Sequence, residues 1–211
     1  MKKLIVISGN IGAGKSTYLK SFVDYLKEKT EKKIILVEEG IESDKGFQKR
    51  LRDFYKDPNN RIEFQKYLTE FRHKRLNDYP DDAILVSERG LMDDIVFSNA
   101  TSLDIETVDG KYVTYYYDLL DRLRNDYPKL VANVYLRTDP IKCLENIRLR
   151  NRKGEENITQ EYINTLHHCH EAFLPAVSTK FNYPLIKFDF NNHTDHDTVS
   201  SYVFENIKAS I

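Results

Sequence analysis

Residues 9–16 read Gly9-Asn10-Ile11-Gly12-Ala13-Gly14-Lys15-Ser16, which matches all eight positions of the phosphate-binding pattern G-x-x-x-x-G-K-[ST]. Glycines at these positions let backbone N–H groups turn inward toward an anion, and the N-terminus of the following helix favours negative charge. An apolar strand precedes the pattern and an amphipathic helix follows it, which is the context in which it binds phosphate. We therefore predict that residues 9–17, ending at Thr17, bind the phosphates of ATP. Lys15 is expected to reach the β- and γ-phosphates, and the Ser16 hydroxyl to bind Mg²⁺.

Continuous apolar runs alternate with segments of helical period, a pattern typical of a parallel sheet buried on both faces. The predicted strands are Lys3–Ser8, Lys33–Glu38, Ala83–Ser87, Val131–Leu136 and Leu185–Phe190. The predicted helices are Lys15–Lys29, Asp44–Lys56, Arg61–Tyr79, Tyr112–Arg124, Pro140–Arg150 and Thr159–Phe173. The polar stretch 151–157 interrupts the helical pattern and predicts a loop. This order of elements predicts a three-layer α/β fold around a five-stranded parallel sheet.

Length and composition exclude several classes of protein. The chain has 211 residues, so we predict one domain spanning 1–211 with a lid at about 148–157. The net charge of −1 predicts no general attraction to nucleic acid or to an anionic membrane. The longest apolar run, Leu4–Ile7, is too short to span a bilayer and lacks the flanks of a signal peptide. Cys143 and Cys169 cannot build a disulfide framework, so we expect a cytoplasmic protein.

A phosphate-binding loop does not by itself define a reaction. A GTPase switch would also need an Asn-Lys-x-Asp motif to read the base and an Asp-x-x-Gly switch motif, and the sequence has neither. A motor or transporter ATPase would normally need a longer chain. The length fits small phosphotransferases of the nucleoside and nucleotide kinase type, while a nucleotide-binding switch without turnover stays open as a different class.

Polar side chains follow the second and third predicted strands where these strands end. Glu38 and Glu39 close the second strand, Glu88 and Arg89 close the third, and Gln65 lies on a helix between them. Because the carboxyl ends of parallel strands meet at one edge of a sheet, we expect these side chains to converge beside the phosphate loop. There a carboxylate can accept a hydroxyl proton, and an arginine can hold charge on a transferring phosphoryl group.

Seven collinear stretches resemble the deoxynucleoside kinase family, which includes deoxycytidine, deoxyguanosine and deoxyadenosine kinases. They are GNIGAGKST at 9–17, FYKDP at 54–58, FQKYLTEFR at 64–72, SER at 87–89, YLRTDP at 135–140, IRLRNRKGEEN at 147–157 and LHHCHEAFL at 166–174. The resemblance therefore covers essentially the whole chain. It implies a P-loop kinase fold with an arginine-bearing lid, ATP or another NTP as donor, and Mg²⁺ as cofactor. It also implies a homodimer formed through helices such as Arg61–Tyr79 and Tyr112–Arg124.

The resemblance implies a role for each residue at a matching position. Glu38 would take the proton from the 5′-hydroxyl of a deoxynucleoside, and Arg89 would hold that hydroxyl and the transferring phosphoryl group. Glu88 would bind Mg²⁺ together with Ser16. The sugar 3′-hydroxyl would be held by Tyr55 with Glu156, or with Glu155 because the lid is one residue longer than usual. The base edge would be bound by Gln65, and the phosphates by the lid residues Arg150 and Arg152.

The chain departs from the family at several positions. Gly90 follows the Glu-Arg pair where the family usually has Ser. Glu39 follows Glu38 where the family often has Pro, so Glu39 stays open as the alternative general base. Ser43 stands where the family tends to place an aromatic residue over the base. Asn146 replaces an arginine that stacks on the adenine of ATP in many members, and Arg148 is the candidate to take its place.

Arg72 and Asp94 concern the choice of base. In the resembled kinases an Arg–Asp pair at these places marks members that act on deoxycytidine or purine deoxynucleosides. An ionised Asp94 only accepts hydrogen bonds, so it favours an exocyclic amino group over O4 of thymine, and Arg72 would fill the space of the thymine methyl group. We therefore predict a salvage kinase for deoxyadenosine, deoxyguanosine or deoxycytidine rather than thymidine. The alternative is a nucleoside monophosphate kinase like thymidylate kinase, which would need extra cationic groups for its acceptor phosphate.

Overall fold

The computed structural model describes residues 2–38, 46–57, 60–103, 110–152, 155–191 and 195–211, except for the side chains of Gln48, Tyr55, Lys56 and Leu103. Its strands are β1 Lys3–Ser8, β2 Ile34–Val37, β3 Ile84–Glu88, β4 Lys129–Arg137 and β5 Leu185–Asp189. Its helices are α1 Lys15–Lys29, α2 Phe47–Lys56, α3 Arg61–Asn77, α4 Leu91–Leu103, α5 Gly110–Asn125, α6 Pro140–Arg150, α7 Gln160–Phe181 and α8 His196–Ile207. The five strands form one parallel sheet, so the predicted α/β class is confirmed.

The strand order β2-β3-β1-β4-β5 decides which residues meet at the carboxyl edge of the sheet. β1 lies in the middle, with Ile7 paired to Glu88 of β3 and Ser8 paired to Tyr135 of β4. The loop that leaves β1 after Ser8 therefore begins next to the end of β3. This register places the phosphate-binding pattern and the Glu88-Arg89 pair side by side.

Successive residues of β1 pack into two different cores, because side chains alternate between the faces of a sheet. Leu4 and Val6 belong to the core that α4, α5 and α7 share, whereas Ile5 and Ile7 belong to the core formed with α1 and α8. All four side chains are fully buried. This double burial explains why the strand reads as a continuous apolar run rather than an alternating one.

The predicted bounds of α1 and α6 are confirmed, but two helices were not predicted. α4 lacks a clear amphipathic period, whereas α8 repeats Val199, Val203 and Ile207 at helical spacing, a signal that the prediction missed. α4 is buried on most sides against α3, α5 and α7, so its sequence lacks a clear polar face. α8 carries β-branched and aromatic residues that favour strands as readily as helices, and it becomes a helix by packing on α1.

α7 is longer than predicted. The predicted helix ends at Phe173, two residues before Pro175, and proline removes a backbone donor from a helix interior. In the structure the helix continues through Pro175 to Phe181, with Leu174 and Val177 buried in the core. Tertiary packing of these side chains thus outweighs the local cost of the proline. Among the described residues, no helix is long and apolar enough to cross a bilayer.

Candidate active site

The phosphate loop takes a conformation that glycine makes possible. Gly12 has φ +77°, and a β-carbon there would lie 2.3 Å from the carbonyl oxygen of Cys143 in α6. Gly9 has φ +153°, and its β-carbon would lie 2.8 Å from the carbonyl oxygen of Leu136 in β4. The loop backbone therefore presses directly onto its neighbours, where no other residue type fits without displacement.

Polar side chains from outside the loop hold its backbone in place. The Asn10 amide donates to the Ile163 carbonyl at 2.9 Å, so the loop is tied to α7. The Asn146 amide donates to the Gly12 carbonyl at 2.8 Å, which ties it to α6. Asn146, the position at which the family often has an adenine-stacking arginine, thus braces the phosphate loop. The sequence held no signal for this contact, because the two residues are 134 positions apart.

Lys15, Ser16 and Glu88 meet where the phosphates of a nucleotide are expected. Lys15 is buried; its Nζ donates to the Asn10 carbonyl at 2.7 Å and lies 3.9 Å from Oε1 of Glu88. The Ser16 hydroxyl donates to Oε2 of Glu88 at 2.7 Å. A hydroxyl and a carboxylate side by side are the hard oxygen donors that Mg²⁺ takes when phosphates complete its shell. These residues therefore fit a nucleotide-bound Mg²⁺.

Arg89 has a left-handed backbone, with φ +63°. Neighbouring groups fix the peptides on both sides of it: its N–H donates to the Ile7 carbonyl at 3.1 Å, and its carbonyl accepts from the Ser87 hydroxyl at 3.0 Å. Its guanidinium lies over the ring of Phe97, 4.8 Å from the ring centre. A non-glycine residue in this conformation costs about 1–3 kcal/mol and persists only where its surroundings determine it.

A cavity of about 850 Å³ runs from the phosphate loop to the space between α2, α3 and α4. It joins most of the residues that the sequence predicted for the site. Those that line it are Ile11, Gly12, Lys15, Ser16, Glu38, Gln65, Arg72, Glu88, Arg89, Arg150 and Arg152, together with Glu155. Chain segments far apart in sequence thus converge on one cavity beside the phosphate loop.

Glu38 lies just beyond the end of β2, at the mouth of this cavity. Its side chain is 59% exposed, and Nζ of Lys20 is 3.8 Å from Oε1. The carboxylate is therefore open to an incoming hydroxyl group. Glu39 and Ser43 lie outside the described residues, and so does the side chain of Tyr55 in α2. Thr17 is exposed in the first turn of α1.

Arg72 and Asp94 form a buried ion pair at the inner end of the cavity. Nη1 of Arg72 donates to Oδ1 of Asp94, and the Thr69 hydroxyl donates to Oδ2 at 2.8 Å. Thr69 in turn shares a 2.7 Å hydrogen bond with the Tyr115 hydroxyl from α5. Arg72 lines the cavity, whereas Asp94 lies behind it. Asp94 thus fixes the guanidinium that faces the cavity.

An aromatic wall, which the sequence analysis missed, covers the side of the cavity formed by α2 and α3. The rings of Phe47 and Phe64 stack with centres 5.9 Å apart, and Phe54 lies 5.0 Å from Phe64. Phe47, Leu51 and Phe54 repeat at helical spacing, which is a signal that the sequence did contain. Phe47 thus supplies an aromatic ring to the cavity, although Ser43 stands at the family's aromatic position.

In the segment predicted to form the lid, Glu155 rather than Glu156 faces the cavity. Nη2 of Arg150 donates to both carboxylate oxygens of Glu155, at 2.9 and 2.7 Å, and Arg152 lies 3.7 Å from the same group. Glu156 and Arg148 are exposed, and neither is among the residues lining the cavity. The structure thus brings Arg150, Arg152 and Glu155 to the site.

A phosphate loop whose lysine and serine meet a strand-end carboxylate, beside a cavity of this size, is typical of a phosphotransferase of the P-loop kinase type. The family model described as deoxynucleoside kinase matches residues 5–211. The chain therefore belongs to the deoxynucleoside kinase family, and it phosphorylates nucleosides. The predicted family and enzyme class are confirmed, and the switch without turnover is set aside.

Proteins with similar sequences are also deoxynucleoside kinases. Deoxycytidine kinase of Bos taurus is 31% identical, with 90% of this chain and 84% of that protein covered. Deoxyadenosine kinase of Dictyostelium discoideum is 29% identical, with 94% and 77% covered. A deoxyadenosine kinase from M. mycoides, solved with bound dATP, has the same fold, with a TM-score of 0.76 at 24% identity over 99% of this chain and 100% of that one. The predicted fold is thereby confirmed.

Proposed function

We propose that this kinase transfers the γ-phosphoryl group of ATP to the 5′-hydroxyl of deoxyadenosine, deoxyguanosine or deoxycytidine, and that it uses thymidine poorly. The observation that carries this proposal is the buried Arg72–Asp94 pair at the inner end of the acceptor cavity. Cytosine, adenine and guanine carry exocyclic amino groups, whereas thymine carries a methyl group and two carbonyls. The pair distinguishes the bases on these features.

Both members of the pair disfavour thymine. Asp94 holds Arg72 in place, so the guanidinium cannot swing away to make room for a 5-methyl group. Asp94 lies directly behind that guanidinium and only accepts hydrogen bonds, so a base edge that reaches it must offer an amino donor and not a carbonyl. Two similar proteins are named for amino-bearing bases, deoxycytidine in one and deoxyadenosine in the other. Their names agree with this preference.

Glu38 is the proposed general base. Its carboxylate lies at the mouth of the cavity that also contains Lys15 and Arg89. It takes the proton of the 5′-hydroxyl as the oxygen attacks the γ-phosphorus and the bond to the β-phosphate oxygen breaks. Lys15 and Arg89 stabilise the charge on the transferring phosphoryl group, and their fixed positions supply most of the rate enhancement.

Ser16 and Glu88 are the proposed protein ligands of Mg²⁺, and the adjacent hydroxyl and carboxylate support that role. When bound, the ion neutralises charge on the β- and γ-phosphates. In the lid, Glu155 is the proposed contact of the sugar 3′-hydroxyl, because it lines the cavity. Arg150 and Arg152 then turn from Glu155 toward the phosphates when ATP is present.

The proposal also includes a cytoplasmic homodimer. Val113 and Tyr117, one turn apart on α5, are 41% and 66% exposed. An apolar pair on that helix supports pairing with a second copy, as the family resemblance predicted. Buried Cys143 and Cys169 do not form a disulfide, which agrees with a reducing compartment.

A steady-state panel tests the base preference. With ATP as donor, kcat/KM is measured for the four deoxynucleosides, and for dCMP and dTMP as acceptors that already carry a phosphate. Thymidine is expected to be at least about tenfold poorer than the best substrate, because a stranded buried acceptor costs roughly 1–3 kcal/mol. A preference for thymidine would show that Arg72 and Asp94 do not face the base. Faster use of the monophosphates would instead support the nucleotide kinase alternative.

A further inference from the structure

Asp93 has no role in the site described so far, yet it is fully buried beside it. Its Oδ2 accepts from the Ser8 hydroxyl at 2.6 Å and from the Gly90 N–H at 3.1 Å. Ser8 is the last residue of β1 before the phosphate loop, and Gly90 directly follows Arg89. One carboxylate oxygen therefore ties the start of the phosphate loop to the turn that presents Arg89.

His170 faces the other oxygen of the same carboxylate from α7. The ring is fully buried, with Nε2 3.8 Å from Oδ1 of Asp93. Its Nδ1 lies 2.7 Å from the Leu166 carbonyl, and a carbonyl only accepts, so Nδ1 carries a hydrogen. Nε2 therefore faces the Asp93 carboxylate inside the core.

The charge state of Asp93 agrees with that geometry. Burial raises the pKa of this carboxyl, but the contact with His170, the hydrogen bond from the Ser8 hydroxyl and the charge of Arg89 together hold it below its usual value. Burial chiefly, and the charge of Asp93 in part, raises the pKa of the Tyr127 and Tyr183 hydroxyl groups. A buried charged group with these partners is rigid, because moving it would strand a charge.

The pair also reaches the side chain of Arg89 through a shared aromatic ring. The edge of His170 packs against Phe97 with centres 6.0 Å apart, and the Arg89 guanidinium lies over that same ring. The ring of Tyr135 stacks on His170, with ring centres 5.6 Å apart. Both the backbone that follows Arg89 and the ring beneath its guanidinium are therefore held by the Asp93–His170 pair.

We infer that Asp93 and His170 are positioning residues for phosphoryl transfer. The pair holds the turn 88–90 in a fixed relation to the phosphate loop, so that the Arg89 guanidinium meets the transferring group. The inference rests on the role proposed for Arg89. It also links α7, the helix that follows the lid, to the reacting centre.

Asp93→Asn is the variant that tests the inference. The asparagine side chain has nearly the same shape, and its carbonyl still accepts from Ser8 and Gly90, so the fold is retained. A displacement of Arg89 is expected to lower kcat by about tenfold to a hundredfold, with KM for ATP and for the deoxynucleoside changed by no more than about twofold. Asp121→Asn, a matched change on the exposed face of α5, is expected to leave both constants unchanged.

Combining Asp93→Asn with Arg89→Ala distinguishes a role of Asp93 in positioning Arg89 from a role in stability alone. If Asp93 acts through Arg89, Asp93→Asn lowers kcat in the wild-type background and by less than about twofold in the Arg89→Ala background. Ser8→Ala, which removes one hydroxyl from the network, is expected to show the same pattern more weakly. It replaces Asp93→Asn if that variant does not fold.

Two results would overturn the inference. One is an equal loss of kcat in both backgrounds, and the other is a lower melting temperature with kcat unchanged. An Arg89→Ala enzyme that keeps its kcat would instead refute the proposed function of Arg89. The failure of the inference and that of the proposed function are therefore distinguishable.

Discussion

The phosphate loop and the acceptor cavity are built in opposite ways. Eight consecutive residues, 9–16, form the loop, and its glycine backbone lies against β4 and α6. The wall of the acceptor cavity consists of side chains from α2, α3, α4 and the lid, with Arg72 and Asp94 joined across 22 positions. The structure of the loop therefore depends on its glycines and on close backbone contacts. The structure of the cavity depends instead on the side chains that tertiary packing brings together.

This contrast separates what each region can tolerate. Replacing a loop residue disturbs a backbone that touches β4 and α6 directly. Replacing a cavity residue changes which acceptor fits while the backbone stays in place. Changes in the loop are thus expected to affect every substrate alike, and changes in the cavity to affect substrates differently.

Glu38→Gln is expected to have the largest effect, because it removes the proposed base at the junction of the two regions. The amide is nearly isosteric but cannot take a proton, so kcat should fall by about 10²–10⁴ with substrate binding retained. Rapid-quench measurement of product formation checks this. Glu39→Gln is the neighbouring control; if it abolishes turnover while Glu38→Gln does not, the adjacent residue is the base.

Lys15→Ala tests the loop side. Its ammonium group donates to the Asn10 carbonyl and is expected to contact the β- and γ-phosphates, so kcat/KM for ATP should fall by roughly 10²–10³ with every deoxynucleoside alike. Steady-state kinetics at several acceptors measures this, and Lys27→Ala on the exposed face of α1 is the control. Full activity of Lys15→Ala would refute the assignment of the phosphate loop.

Arg72→Met combined with Asp94→Ala tests the cavity side. Removing both charges opens space for a methyl group, so kcat/KM for thymidine relative to deoxycytidine should rise about tenfold or more. Either single change should lower activity with all acceptors, because it leaves a buried charge without its partner. A double variant with the wild-type ranking of substrates would mean that the pair does not select the base.

Gly90→Ala is expected to have the smallest effect on catalysis and a measurable one on stability. A β-carbon there would lie 2.5 Å from the Tyr127 hydroxyl, so the free energy of unfolding should fall by about 1–3 kcal/mol. Urea denaturation measures it. Tyr127→Phe removes that oxygen. Gly90→Ala should therefore lower the free energy of unfolding by less in the Tyr127→Phe background than in the wild-type protein. Additive losses would show that the two groups do not collide.

Periodicity and motif predicted much of the fold. The bounds of β1, α1 and α6 agree between sequence and structure, because each is defined by local apolar spacing and by its flanking residues. α4 could not be recognised in this way, since a helix buried on most sides has no polar face to mark its period. α4 carries both Asp93 and Asp94, so a helix that the sequence pattern did not predict supplies two buried carboxylates next to the site.

The sequence by itself determined the phosphate loop, the parallel sheet and the family, because these depend on neighbouring residues and on collinear motifs. Only the tertiary structure decided that Asn146 braces Gly12, that Phe47 joins the cavity wall, and that Glu155 faces inward while Glu156 does not. It also decided the meeting of Asp93 with His170, which lies 77 residues further along the chain. Such contacts follow from how helices pack on the sheet, and packing depends on the whole chain rather than on any local spacing.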